Sequence, residues 1–552
     1  MASCPKNYPF YNWVPKPLGI IILLLLFIPI LTVGGVYTAN SGEMMSGLGI
    51  QSEHIQFVGF VTSVGMAAFS PFFYRLVCIR REKMMCLVGF SVMYLLSYVC
   101  AKTDSIFLLA LCSLVMGFLR MVLMMINLFT LIRYAFGMEA TRNITPGMEP
   151  SDEAGWDRLD SEKSVSMPTI YLFFMILGQV GTSLTAWLAY EYEWQYVYYF
   201  MMGALLLSIL VIFVTMPYHK FVSRRFPVTF SKFANVVLFS VLWCSVIYVL
   251  VYGKVLDWYD DSTIRWATVI ALVSGAVFFY MEKTHRSPYF LLDVFKLRNI
   301  NMGVVLFLLL MILNSSAMLV NVFTGVGMKI DNWQNAVLGN WAILGYFIGG
   351  VIAIVLGKRG VHLKYLFGMG FLFIGLSALF MYFEVQTDGL YERMKYPVII
   401  RAIGMMLLYS LTAVYANQRM PYKYLSTWIC IMLTVRMVLG PGIGTALYTN
   451  VLQERQQHYI TRYAQNVDVL HPEASASYTQ TVQGMLYQGK SLEEGQQMAS
   501  MSVKGNIQKQ AVLSSVKEIS GWTLYACLIC MIWIVVMPHP KRKLLTSQNQ
   551  SS

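Results

Sequence analysis

The chain has 552 residues, of which 57% are hydrophobic and only 12% charged, and its mean hydropathy is +0.57. A soluble protein of this length needs far more polar surface, so a globular chain in water is excluded. The net charge of +13 is spread over many short loops and forms no basic patch. That argues against nucleic acid and fits a membrane protein with positive cytoplasmic loops.

Apolar blocks of bilayer length predict an all-α integral membrane protein with about fourteen helices. They are expected at 17–38, 53–74, 84–101, 105–132, 169–190, 196–216 and 232–253, then at 264–282, 300–321, 335–357, 365–384, 397–417, 425–450 and 519–537. The first apolar run is too long for a signal h-region and no cleavage site follows, so it reads as a membrane helix. Lys and Arg set the orientation. One set of loops carries Arg75, Arg80, Arg81 and Lys83, then Lys220, Arg224 and Arg225. Further along the same set carries Lys283, Arg286, Lys296 and Arg298, then Lys358, Arg359 and Lys364, then Lys541, Arg542 and Lys543. The alternate loops are poor in cations, so this set is cytoplasmic and both termini lie inside.

Two polar stretches break the rhythm. Residues 137–167 are acidic and fall on the cytoplasmic side; a sequon at Asn143 there is read as chance. Residues 452–518 fall outside, are rich in Gln and Ser, and read as a functional or disordered loop. Of the nine Cys, those inside apolar segments, including Cys527 and Cys530 in C-x-x-C spacing, read as small core residues, and no disulfide is expected. No metal-ligand cluster, P-loop or nucleophile elbow is present, so neither a cofactor nor an enzyme is expected. A non-transporting membrane sensor would need a signalling domain, and no segment is large enough for one.

Inside the membrane the chemistry is cationic. No Asp or Glu falls in the middle of a predicted helix; Glu53 and Glu384 sit at outer helix ends. Arg120, Arg401 and Arg436 do fall within helices, where a charge costs at least about 2.5–3.5 kcal/mol. Arg401 is near the outer surface and is expected to snorkel. Arg120 and Arg436 are deeper. They either lock the bundle through carbonyls and Tyr hydroxyls or line a cavity that accepts negative charge. Asn127, Gln179, Asn314 and Asn321 are further substrate-binding candidates, with interhelical hydrogen bonding as the alternative. Asn127 lies seven residues from Arg120 and Asn321 seven from Asn314, which places each pair on one helix face. Gly178, Gly181, Gly440, Gly442 and Gly444 are candidates for close helix approach or hinge bending. The 36 Met and many aromatics read as lipid-facing filler, with an adaptable apolar cavity as the alternative.

An ordered set of motifs carries a resemblance. The run Val435-Arg436-Met437-Val438-Leu439-Gly440-Pro441-Gly442-Ile443-Gly444, followed by Gln453-Glu454-Arg455, resembles the penultimate helix of the EmrB/QacA-type drug:proton antiporters of the major facilitator superfamily. Glu282-Lys283 through Ser287-Pro288 to Phe295-Lys296-Leu297-Arg298 resembles that family's mid-chain linker. Arg401-Ala402-Ile403-Gly404 resembles its helix twelve, and Trp194-Gln195-Tyr196 its turn between helices five and six. The resemblance implies a major facilitator fold: a six-helix bundle over 1–216, two extra helices and a linker over 217–299, and a second six-helix bundle over 300–552. It implies efflux of drugs or other small amphipathic molecules by alternating access from the inner membrane, in contact with membrane lipids. A periplasmic adaptor protein and an outer-membrane channel are the implied partners. The family's acid in helix one is missing, and Ser113 stands where its helix four carries Arg. Proton coupling would then fall to Glu53 or Glu384. The alternative is export of an anionic metabolite, lipid or siderophore, driven by the membrane potential.

Overall fold

The computed structural model describes residues 8–32, 41–72, 82–136, 153–218, 230–284, 288–387, 389–465 and 472–536. Among these the chain is helical, with no strand. Thirteen helices are long and apolar enough to cross a membrane, and a shorter apolar helix, α1 (Lys16–Thr32), precedes them. Residues 33–38 of the expected first helix lie outside the described residues. So do Arg75, Arg80, Arg81, Arg224, Arg225, Lys541, the sequon, and 137–152 of the acidic stretch.

After α1 come α2 (Ser41–Leu48), α3 (Ser52–Phe69), α4 (Glu82–Lys102), α5 (Ile106–Phe136), α6 (Glu153–Glu191) and α7 (Gln195–Thr215). In this half α3 packs on α5, α4 on α5 and α7, and α1 on α5. The closest approach is α3 against α5. A methyl group at Gly65 would overlap the Leu114 carbonyl oxygen, and one at Gly117 the Thr62 carbonyl oxygen. Only a residue without Cβ lets two backbones touch in this way. Lys83 closes the C-terminus of α7, donating to the Phe213 carbonyl at 3.0 Å and to that of Met216.

Two helices, α8 (Phe230–Tyr252) and α9 (Ser262–Thr284), form a hairpin, and α8 leans on α3. Buried Glu282 ends this hairpin. It accepts from the Asn235 amide at 2.6 Å and from the Phe290 backbone N–H at 2.9 Å, which ties the linker after α9 to the hairpin. The linker continues across the molecule. The Tyr289 hydroxyl donates to the Ala68 carbonyl, and the Leu291 N–H reaches the Thr427 hydroxyl at 3.2 Å.

The second half contains α10 (Arg298–Asn314), α11 (Ala317–Val322), α12 (Asn332–Lys358), α13 (Leu363–Glu384), α14 (Lys395–Ala416), α15 (Leu425–Leu433), α16 (Gly440–Gln465), α17 (Pro472–Tyr487) and α18 (Leu492–Val536). Helix α14 sits among α10, α12 and α13, and α13 packs on α18. The halves meet along two seams, α6 against α12, and α3 against α15 and the π-helical turn after it, Thr434–Leu439.

Two expectations change here. The described part of 452–518 is largely helical: α16 runs on to Gln465, α17 covers Pro472–Tyr487, and α18 begins at Leu492 and reaches Val536 without a break. Its Gln, Glu, Lys, Met and Ala favour helix, and within the stretch no Pro follows Pro472. Helix α16 is tied to α18 by an Arg455–Glu518 ion pair of 3.8 Å and a Tyr463–Ser514 hydroxyl contact of 2.7 Å, and α17 packs on α18. Likewise the acidic stretch from Glu153 onward is the first part of α6.

Candidate functional site

The central site starts from one sequence feature, Gly440-Pro441-Gly442. Pro441 has no N–H, and its ring crowds the carbonyl four residues back, so the ordinary helical ladder cannot pass through it. The chain widens to a π-helical turn over Thr434–Leu439, and Arg436 lies in that turn. Tight packing fixes the turn. A Cβ at Gly440 would sit 2.5 Å from Met311 Cβ, one at Gly442 would sit 2.7 Å from Ile247 Cδ1, and one at Gly444 would overlap Ser315 Oγ.

The Arg436 guanidinium lies 4.4 Å from the Tyr409 ring centroid and 5.8 Å from that of Tyr171. The two rings stand edge to face at 5.1 Å, and Phe307 continues the aromatic wall 5.9 Å from Tyr409. The Tyr171 hydroxyl lies beside the guanidinium and donates to Met432 Sδ at 3.4 Å. A cation on an aromatic face in a desolvated site is stabilised by about 2 kcal/mol, which offsets part of its burial cost. Tyr171 comes from one half of the molecule; Tyr409, Phe307 and Arg436 come from the other.

Arg120 approaches from α5. Gly117, three residues before it, holds α5 on α3, and α3 touches the π-helical turn. Arg120 and Arg436 thereby come within electrostatic reach of each other. Among the described residues the Nε of each is buried without a hydrogen-bond partner. Among the described residues no carboxylate forms an ion pair with either.

The other candidates are placed differently. The Asn127 amide is buried and donates to the Leu23 carbonyl at 2.9 Å, which ties α5 to α1 rather than facing Arg120's neighbours. Gln179 faces α12, where a Cβ at Gly339 would lie 3.1 Å from its Nε2; the neighbouring Ser183 hydroxyl meets Asn340 Oδ1. Asn314 and Asn321 lie in separate helices and differ in burial. The helix gives way to a turn at Ser315–Ser316, leaving Asn314 half-buried and Asn321 exposed. Of the close approach and hinge bending expected at Gly178 and Gly181, the close approach is not made: among the described residues nothing lies within 4 Å of a Cβ at either. Arg401 does not snorkel. Its Nη1 is buried without a partner and its charge reaches Tyr346 of α12, because Gly345 and Gly349 bring α12 onto the α14 backbone. Glu53 lies in the first turn of α3, with its charge felt at Tyr252, which also contacts His54. Glu384 pairs with Arg393 at 3.5 Å.

A second contact between the halves lies at the end of α6 that carries its polar extension. Arg419 pairs with Asp157 at 3.0 Å, its backbone N–H reaches Asp160 at 3.4 Å, and Lys163 donates to the Asn417 carbonyl at 3.0 Å. Asp157 beside it holds the Arg419 guanidinium charged, above its usual range. At the opposite end, the Asn332 amide meets Glu43 of α2 at 2.9 Å. Sequence reasoning missed Tyr171, Tyr409 and the Arg419 cluster. The signal for the tyrosines was their hydroxyls, each needing a partner inside an apolar helix. The signal for the cluster was the acidic stretch, whose partner lies far away in sequence.

Comparison with known proteins bears on this arrangement. No family model matches the chain. A solved POT family peptide transporter in an autoinhibited form aligns over 96% of this chain and 98% of its own, at 12% identity and a TM-score of 0.51. The nucleoside transporter NupG aligns over 94% and 99%, at 11% identity and a TM-score of 0.50. The chain is a multi-pass membrane protein with a major facilitator fold. In sequence it resembles the multidrug export protein EmrB of Escherichia coli K12, with 22% identity over 297 residues, 52% of this chain and 54% of that protein. The colistin resistance protein EmrB of Acinetobacter baumannii is 23% identical over 333 residues, 58% of this chain and 62% of its own length. The chain thus spans little more than half the length of these relatives. The relatives and like-folded structures are transporters, not enzymes.

Proposed function

We propose that the chain is a secondary active exporter of small amphipathic compounds that works by alternating access. The observation that carries this is the meeting of Tyr171 from one half with Arg436, Tyr409 and Phe307 from the other, a polar spot with aromatic walls on the seam between the halves. Residues 1–216 and 300–552 are then the rocking units, with 217–299 as two added helices and linker. The contacts of Arg419 with Asp157 and Asp160 close the inner side, and Asn332–Glu43 braces the outer.

The exporter sits in the inner membrane with both termini cytoplasmic and is coupled to protons. Glu53 is the first carrier to test, because it shares its end of α3 with His54 and Tyr252 and forms no ion pair among the described residues. Glu384, engaged by Arg393, is the second. The helical arms in 452–465, 472–487 and 492–518 are the surface for a periplasmic adaptor and, through it, an outer-membrane channel; crosslinks from Tyr478 or Gln497 should capture the adaptor. The decisive experiment is a compound panel. A strain lacking the chain should gain susceptibility to some amphipathic compounds and retain them longer, and Glu53→Gln should stop proton movement coupled to their flux. Unchanged susceptibility and retention across the panel would sink the export assignment.

A further inference from the structure

We infer that the central site takes a negatively charged cargo: an amphiphile whose carboxylate, sulfonate or phosphate lies between Arg120 and Arg436 and whose apolar body lies against Tyr409, Tyr171 and Phe307. This rests on the export assignment for its physiological meaning, but the binding chemistry stands on its own geometry.

Two guanidinium groups within reach of each other repel, and burial strengthens that repulsion. Structures with such a pair usually place a carboxylate between them. Here no Asp or Glu pairs with either Arg among the described residues, and the buried Nε of both lacks a hydrogen-bond partner. A buried Nε–H without an acceptor is costly, so at these two donors the site is suited to an acceptor that the described residues do not supply.

The aromatic contact of Arg436 does not meet this need. Tyr409 takes the flat face of the guanidinium at 4.4 Å, whereas hydrogen bonds leave from its edge. Stacking on Tyr409 therefore orients that edge, whose Nε donor has no partner among the described residues and can meet a planar or tetrahedral anion. The Tyr171 hydroxyl beside Arg436 adds a further polar contact, while Phe307 extends the apolar wall. A cationic amphiphile meets the opposite field and gains only the wall.

The test is equilibrium binding to the full-length protein in lipid nanodiscs, using three probes of one shape: 1-naphthylacetate, 1-naphthylmethylammonium and neutral 1-naphthaleneethanol. The anion should bind about tenfold or more tighter than either other probe. Arg120→Gln and Arg436→Gln should each remove that preference, and Arg436→Lys, which keeps the charge, should retain part of it. Thermal melting of each variant separates lost binding from lost folding. Equal or tighter binding of the ammonium probe overturns the inference. So does an anion preference that survives in both folded Gln variants, or failure of all three probes to bind. Export is read separately in cells. Cation-selective binding with export intact sinks only the anionic cargo, whereas anion-selective binding with no export from cells sinks only the export assignment.

Discussion

Gly65 and Gly117 on one side, and Gly178 and Gly181 on the other, are all small residues in apolar helices, yet they do opposite things. The first pair clamps α3 to α5 so closely that a single methyl group would strike a backbone carbonyl. The second pair faces open space on α6, at the seam between the halves. A glycine in a membrane helix thus states only that a side chain is missing. Whether a neighbour has moved into the gap depends on the crossing of helices far apart in sequence. The clamped pair positions Arg120; the open pair leaves α6 free of backbone lock beside Tyr171.

The largest expected effect tests the clamp. Gly117→Leu should abolish folded protein in detergent, because its Cβ already overlaps the Thr62 carbonyl and overpacking costs about 1–3 kcal/mol even where neighbours can shift. Normal yield and melting would mean that α3 and α5 are not in contact there. Next comes the anchor of the linker. Glu282→Ala strips acceptors from the buried Asn235 amide and the Phe290 N–H and should destabilise by about 1–3 kcal/mol, read by thermal melting. Asp157→Asn acts on a half-exposed pair and should cost at most about 1 kcal/mol of stability. Its effect should appear instead as faster labelling of a cysteine placed at the inner end of α15, and unaltered labelling would remove the latch role. The smallest effect is at the open glycines. Gly178→Ala and Gly181→Ala should fold normally or gain up to about 1 kcal/mol, since Ala favours helix over Gly. A large loss of folded protein would place an unseen neighbour there.

Much of the fold could be read directly from the chain. Bilayer-length apolar blocks marked the helices, because lipid leaves the backbone no other way to satisfy its polar groups. The arms beyond Leu452 were missed since polar helix and polar loop share a composition, and only helix propensity separates them. In the site, Arg436 and Arg120 stood out by their charge, with bundle lock and anion cavity as the two readings of it. Arg401 was misplaced because distance from a helix end says nothing about which neighbour covers a face; Gly345 and Gly349 decide that. Asn127 was grouped with Arg120 by spacing, but a broad helix face touches more than one partner, and α1 took the amide. Tyr171 and Tyr409 could not be picked from 34 Tyr without knowing which helices meet.

The central claim is that Arg120 and Arg436 act as one site on the path of the cargo. Export rates in cells for Arg120→Gln, Arg436→Gln and the double variant test it most directly, at matched levels of folded protein. One shared site predicts that each single change abolishes most export and that the double variant is no slower than either, a strongly non-additive cycle. Export at the wild-type rate in either single variant, or losses that simply multiply, would contradict it.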